Sequence, residues 1–215
     1  MPKSAIVIGA TGVVGRALVE QLADAPHIAS VASVTRRPVQ YRNDKITNHV
    51  VDFEQLDDAS DIFQGDLLFS CLGTTRSQAG SISAQRVVDY DYQLHAATLA
   101  ANNGVSHYLL VSSSAANTCS ASPYLKMKGE LENAVNQLPF KRVSIFQPSL
   151  LLGERPEMRP AETVGALIMP TLCKLPILKK YRPIRGDQVA AKMVSVSNSE
   201  GQGLHRFTLD EIFMK

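Results

Sequence analysis

Residues 9 to 15 read Gly9-Ala10-Thr11-Gly12-Val13-Val14-Gly15, directly after the apolar run Ser4-Ala5-Ile6-Val7-Ile8 and just before Ala17-Leu18-Val19. This order predicts a strand, a tight glycine turn and a helix. Such a turn aims backbone N–H groups and the positive end of a helix dipole at a diphosphate. The spacing is GxxGxxG, not GxGxxG. Glycine triplets occur in many loops. Its place between a β-type run and a helical one is what makes this triplet read as a dinucleotide site.

The rest of the chain supports that setting. Strand-like stretches are expected at Ser4 to Ile8, Ile28 to Thr35, a short run ending at Val50-Val51, Asp66 to Leu72, Ser106 to Ser112 and Val143 to Gln147. Helical stretches are expected between them at Val13 to Ala23, Ser83 to Asn102 (closed by Asn103-Gly104) and Pro123 to Leu138. Continuous apolar strands alternating with helices predict an α/β fold: a doubly wound parallel sheet of Rossmann type. With 215 residues the chain suits one domain. After about residue 150 the alternation fades and Pro156, Pro160, Pro170, Pro176 and Pro183 crowd in. A lid-like substrate region is expected at about 150 to 190.

Composition excludes several classes. A net charge of +2 gives no broad footprint for nucleic acid. Cys71, Cys119 and Cys173 lie far apart without metal-ligand spacing, and His27, His49 and His205 add no partners, so no metal site is expected. The apolar stretch Val164 to Leu178 is broken by Pro170, Lys174 and Pro176 and is too short to span a bilayer. Lys174, Lys179, Lys180, Arg182 and Arg185, interleaved with apolar residues, read first as a solvated face and second as a membrane-surface contact. Free thiols and an N-terminus that runs straight into a strand point to the cytoplasm.

The second strand ends Thr35-Arg36-Arg37-Pro38. An acidic residue there would select NAD; paired arginine donors suit the 2′-phosphate of NADP instead. NADP is therefore preferred over NAD. Asp52 has two readings, an acceptor for the adenine amino group or an N-cap for the Glu54–Leu56 turn.

Tyr124 and Lys128 lie four apart in Ser122-Pro123-Tyr124-Leu125-Lys126-Met127-Lys128. Ser122 suits an N-cap and Pro123 a first helical position, so the tyrosine and lysine share one helix face. Tyrosine is a poor base at neutral pH until a neighbouring cation favours its phenolate. The pair can then move a proton at a carbonyl or alcohol oxygen. Ser112-Ser113-Ser114 ends the preceding strand, where a hydroxyl can bond the same oxygen. If the strand persists, Ser112 and Ser114 point one way and Ser113 the other.

The glycine turn, the serine cluster and YxxxK, in that order, resemble the short-chain dehydrogenase/reductase superfamily in its extended and atypical branches. Cys71-Leu72-Gly73-Thr74-Thr75-Arg76, Tyr124 to Glu130 (YLKMKGE) and Gln147 to Gly153 resemble more closely the Tat-interacting-protein oxidoreductases and their bacterial relatives. The resemblance implies that Gly9, Thr11, Gly12, Val13, Val14 and Gly15 line the diphosphate. It places Arg36 and Arg37 at the 2′-phosphate and Asp52 and Phe53 beside adenine. Cys71, Leu72, Gly73 and Thr74 would meet the ribose and diphosphate. Tyr124 would be the acid/base, Lys128 the residue that binds the nicotinamide ribose, and Pro148, Ser149 and Leu150 the nicotinamide border. For the catalytic serine the extended enzymes favour Ser114, with Ser112 nearer the cofactor, while members of the closer group often keep only the first of the three, Ser112. Where many extended members carry asparagine, this chain has Asp89, either altering the proton relay or serving only the helix.

The function implied is an NADP-dependent oxidoreductase for a small carbonyl or alcohol. The alternative is a non-catalytic NADP-binding protein that reports redox state. Cys71, at the cofactor edge, reads as an oxidation-sensitive thiol or a small buried hydrophobe. His95 reads as a packing or surface residue, His107 as lying at the wrong strand end for chemistry, and Asp187 as the N-cap of a helix over Val189 to Val196. Oligomeric state stays open.

Overall fold

The computed structural model describes residues 1–152 and 181–214. The strands are β1 (Lys3–Ile8), β2 (Ile28–Thr35), β3 (Ile46–Val50), β4 (Leu67–Ser70), β5 (His107–Val111), β6 (Arg142–Gln147), β7 (Leu151–Leu152), β8 (Ile184–Arg185) and β9 (Gly203–Thr208). The helices are α1 (Val13–Asp24), α2 (Arg76–Ala79), α3 (Ile82–Arg86), α4 (Tyr92–Asn102), α5 (Pro123–Val135) and α6 (Gly186–Asn198). Seven strands form one parallel sheet in the order β3-β2-β1-β4-β5-β6-β9. β7 and β8 pair separately.

Apolar side chains on the two sheet faces feed two cores. Val14, Leu18 and Leu22 of α1 pack with Val189, Ala190 and Met193 of α6 against one face. Ala96, Ala97 and Ala100 of α4 and Leu131 and Val135 of α5 cover the other. Strands buried on both faces are why the sequence shows continuous apolar runs instead of alternation. The chain order reverses between β1 and β4, and that switch point opens a crevice at the carboxyl ends of the strands.

Several expectations need correction. The stretch from Asp66 to Leu72 is strand only at Leu67–Ser70: the Cys71 N–H still donates to the Ile8 carbonyl, and beyond it the neighbouring β1 has turned away at Gly9. The helix expected from Ser83 contains a π-turn at Val87–Asp91 that joins α3 to α4. Its predicted end is present, with Gly104 at φ +83°. α6 begins at Gly186, not at Val189: Arg185 is its N-cap residue, and Asp187 lies in the first turn with its carboxylate on the Arg185 guanidinium. β9 was unread because Gly-Leu-His-Arg-Phe-Thr is a largely exposed edge strand without an apolar run. Within the expected lid, β7, β8 and α6 are regular structure. Residues 153–180, which include Cys173, Lys174, Lys179, Lys180 and most of the proline-rich stretch, lie outside the described residues.

Candidate cofactor and catalytic site

The crevice at the switch point is a cleft of about 1360 Å³. Its floor is the glycine turn. Gly9 has φ +79°, and a Cβ there would sit 2.4 Å from the Cys71 carbonyl carbon. Only glycine lets the turn lie against the loop after β4 in this way. A Cβ on Gly12 would approach the Gly9 oxygen at 3.3 Å. Glycine at these two positions lets the turn close against its own backbone and the loop after β4, and the turn borders the cleft where α1 starts, which suits a diphosphate.

The cleft gathers nearly every residue singled out above. Gly9, Thr11, Gly12, Val13 and Val14 border it, as do Arg36, Arg37 and Phe53. Cys71, Leu72, Gly73 and Thr74 form one wall; Ser112, Ser113, Ser114, Tyr124 and Lys128 form another, closed by Pro148, Ser149 and Leu150. Two residues fall elsewhere. Gly15 packs inward, where a Cβ would lie 2.1 Å from the Gly9 oxygen, so its part is to hold helix and turn together. The Asp52 carboxylate accepts from the Glu54 N–H at 2.9 Å, the N-cap reading.

The cleft is also bordered by Arg16, from the first turn of α1, and by Tyr92, whose ring lies 5.5 Å from that of Phe53. Sequence reasoning passed over both. Arg16 directly follows the third glycine, so its position in the first helical turn beside the turn it follows was the available signal. Tyr92 directly follows the π-turn, at the start of α4, and no residue pattern announced that irregularity.

At the Tyr124 end the serines differ. β5 stops at Val111, so the alternation assumed for the serines does not apply. The Ser112 hydroxyl donates to Glu132 Oε1, a carboxylate that also accepts from Gln147 Nε2 at 2.8 Å. Ser112 is committed to that network. The Ser114 hydroxyl makes no hydrogen bond with the described residues, while its N–H donates to the Pro148 carbonyl at 3.0 Å. α5 is capped by Ser122 and starts at Pro123, as its sequence requires. The Asn117 N–H donates to the Leu125 carbonyl at 3.1 Å and ties the serine loop to the helix that carries Tyr124. Lys128 is buried and paired with Asp89 at 3.1 Å.

Cys71 faces the cleft, yet burial of its thiol, partly opposed by Lys128, pushes its pKa up to about 12. Little thiolate exists at neutral pH, so the small-hydrophobe reading fits and the oxidation-sensitive one lacks its nucleophile. His95 is a surface residue 3.0 Å from Asp57, and His107 lies at the amino end of β5 against Ser144.

A family model described as NAD(P)H-binding matches residues 9–142. The chain belongs to the NAD(P)H-binding family. Protein HTATIP2 of Rattus norvegicus is 41% identical over 164 residues, covering 74% of this chain and 67% of its own length. FMP52 of Saccharomyces cerevisiae is 31% identical over 213 residues, covering 94% and 91%. Among solved structures, a short-chain dehydrogenase/reductase superfamily protein from Agrobacterium tumefaciens with bound NAD superposes with a TM-score of 0.71 at 14% identity, covering 96% of this chain and 77% of its own. MoeE5 in complex with UDP-glucuronic acid and NAD gives 0.72 at 16%, covering 96% and 76%. These structures share the fold, and with the relatives they agree with the resemblance carried by the glycine turn, CLGTTR and YLKMKGE. The family fits the cleft: a dinucleotide needs a tight turn at the start of a helix, and Gly9 and Gly12 allow that turn to close. One expectation is overturned. The fungal FMP52 relatives are named mitochondrial proteins, which points away from the cytoplasm. Unpaired thiols do not separate one reducing compartment from another.

Proposed function

We propose that this protein is an NADP-dependent oxidoreductase of the short-chain dehydrogenase/reductase type, acting on a small carbonyl compound or its alcohol. The observation that carries the reading is convergence: Tyr124, Lys128 and Ser114 border the same cleft as the glycine turn, at the end opposite Arg36.

Arg36, Arg37 and Arg16 would hold the 2′-phosphate, and Phe53 and Tyr92 would lie beside adenine. The preference for NADP is supported by the arginine pair at the end of β2 and by a third guanidinium, that of Arg16, bordering the cleft. Lys128 would bind the ribose next to the nicotinamide, with Pro148, Ser149 and Leu150 along its border. The bound cofactor supplies or accepts a hydride. In the reducing direction the Tyr124 hydroxyl gives its proton to the carbonyl oxygen as negative charge builds there. The Lys128 ammonium favours the phenolate left behind, and the Ser114 hydroxyl donates a hydrogen bond to the same oxygen.

The test uses purified protein with NADPH and NADH titrated by calorimetry, followed by NADPH oxidation against aldehydes, ketones and quinones. Wild type should bind NADPH and turn over at least one class. Tyr124→Phe should lose about a hundredfold or more in rate while still binding NADPH. Tight binding without turnover would favour the redox-reporting alternative. If neither nucleotide associates at millimolar concentration, the proposal is wrong from its first step.

A further inference from the structure

The buried end of the cleft contains a carboxylate that the proposed reaction does not use. Asp89 Oδ1 lies 3.1 Å from Lys128 Nζ, with side chains 1% and 3% exposed. Its other oxygen, Oδ2, accepts from the Thr74 N–H at 3.0 Å. Asp89 therefore touches two separate parts of the cleft, the loop after β4 and helix α5.

The local fold secures this position. Asp89 is the middle residue of the π-turn, a helical irregularity that often marks functional sites. The Asp89 carbonyl accepts from Gln93 Nε2 at 2.8 Å, and Gln93 Oε1 accepts from the Ser70 hydroxyl at 2.7 Å. The turn is thereby braced to the end of β4. Gln85 Nε2 donates to the Thr74 carbonyl at 3.3 Å from the same helical stretch.

The other ionisable groups around the pair are engaged elsewhere or carry no opposite charge. On α5, Tyr124 and Glu132 stand one turn to either side of Lys128, and Glu132 is held by Ser112, Gln147 and Arg206. Glu130 pairs with Arg86, whose guanidinium also lies 4.1 Å from the centre of the Tyr90 ring. Cys71 faces Lys128 as a neutral thiol. Among the described residues, Asp89 is the ion-pair partner of Lys128.

A buried pair of this kind is weak evidence for stability, since apolar residues often replace one without loss. Its placement says more. Both partners border the cleft, and the carboxylate also grips the backbone of Thr74, a cleft residue. We propose that Asp89, itself anchored by the Thr74 N–H, is the positioning residue for the nicotinamide half of the cofactor site, aiming the Lys128 ammonium at the ribose before the ligand arrives. This rests on the NADP reading above. Asparagine is a poor replacement. Its single carbonyl oxygen cannot serve the ammonium and the Thr74 N–H as two carboxylate oxygens do, and its NH₂ would face one of these donors.

The experiment compares two ligands by calorimetry on the full chain. One is NADPH. The other is adenosine 2′,5′-bisphosphate, which carries the 2′-phosphate end and lacks the nicotinamide ribose. Asp89→Asn should weaken NADPH by about tenfold or more and leave the bisphosphate within about twofold of wild type. Asp89→Asn combined with Lys128→Met should bind NADPH no more weakly than Lys128→Met alone, because Asp89 acts through the lysine. A general loss of structure would instead weaken both ligands and add to the lysine effect. NADPH affinity unchanged in Asp89→Asn, or an equal loss for both ligands, overturns the proposal. Should Asp89→Asn fail to fold, the comparison of Lys128→Met with the double variant decides alone: equal NADPH affinity supports the proposal, and a further loss overturns it. Wild type that binds neither ligand would be a failure of the NADP reading, which these outcomes keep separate.

Discussion

The two ends of the same strands are built differently. At the amino ends, polar side chains close on one another. Asp66 accepts from the Ser4 N–H at 2.7 Å and its hydroxyl at 2.9 Å. His107 meets Ser144 at 2.9 Å, and Lys3 donates to the Ser197 carbonyl at 2.7 Å. Arg142 donates to the Ser199 carbonyl at 2.7 Å. At the carboxyl ends, the hydroxyls of Thr11, Ser114 and Tyr124 make no hydrogen bond with the described residues, although all three border the cleft. Thr11 is exposed and Ser114 and Tyr124 are half-buried, so water reaches these hydroxyls and a ligand can replace it, whereas the amino-edge side chains are bonded to other parts of the fold. Contacts of the second kind serve stability, and hydroxyls open to a cleft can serve a ligand. Mutations at the amino edge should cost folding, and at the carboxyl edge, binding.

Gly15 is the sharpest challenge to that division, since it lies at the ligand edge without bordering the cleft. A Cβ at this position would lie 2.1 Å from the Gly9 oxygen and 2.9 Å from the Ala10 Cα, both backbone atoms that cannot step aside cheaply. Gly15→Ala should destabilise the fold by about 3 kcal/mol and abolish NADPH binding, read by urea denaturation and calorimetry. Stability equal to wild type with binding lost would make the whole turn a ligand feature. Unchanged binding would break the comparison.

How much was legible follows from where the information sits. The turn from Gly9 to Gly15, the arginines after β2 and the Tyr124–Lys128 spacing are local, and the chain states them within a few residues. The sheet was legible because its central strands are apolar runs. β9 was not, because an exposed edge strand needs only backbone pairing to β6, and Leu204, His205 and Arg206 follow no period. The start of α6 was misplaced because Arg185, seldom a capping residue, sits at the N-cap while Asp187 looks like one. Asp89 could be singled out by its position in the helix. Its pairing with Lys128 is a contact between residues 39 positions apart that a π-turn makes possible, and no short motif encodes it. The Ser112–Glu132 bond is of the same kind: two residues on different elements whose meeting depends on how α5 lies across β5 and β6.

The amino edge should respond to acid. His107 is buried, and that burial, reinforced by the positive charges of Arg142 and Lys3, lowers its pKa from 6.5 to about 3. Between these values the unfolded chain takes up a proton that the folded state refuses. Stability therefore falls as pH drops through 6.5 and continues to fall towards about 3, with a slope of up to about 1.4 kcal/mol per pH unit from this one group. His107→Gln, which keeps a donor for Ser144, should flatten the stability profile between about pH 6 and 4 by that slope. NADPH affinity at neutral pH should be unchanged. An unaltered acid slope would show that His107 is not a proton site that opposes folding, and weakened NADPH binding would join the two edges energetically.

Arg36 gives the mildest and most selective comparison, because its guanidinium is exposed at the far end of the cleft and packs into no core. Removing it leaves no buried group unpaired, so Arg36→Ala should keep the wild-type melting temperature. It would remove a paired-donor contact to the 2′-phosphate, and NADPH should bind about tenfold more weakly while NADH, which lacks that phosphate, changes by less than about twofold. Exposed charges are screened, so the NADPH difference between variant and wild type should shrink when salt rises from about 0.05 to about 0.5 M. The losses expected at the buried Asp89–Lys128 end should barely respond to salt, since little solvent reaches that pair. Equal weakening of NADPH and NADH by Arg36→Ala would remove the arginine from the 2′-phosphate and place its contribution on the part of the nucleotide that the two cofactors share.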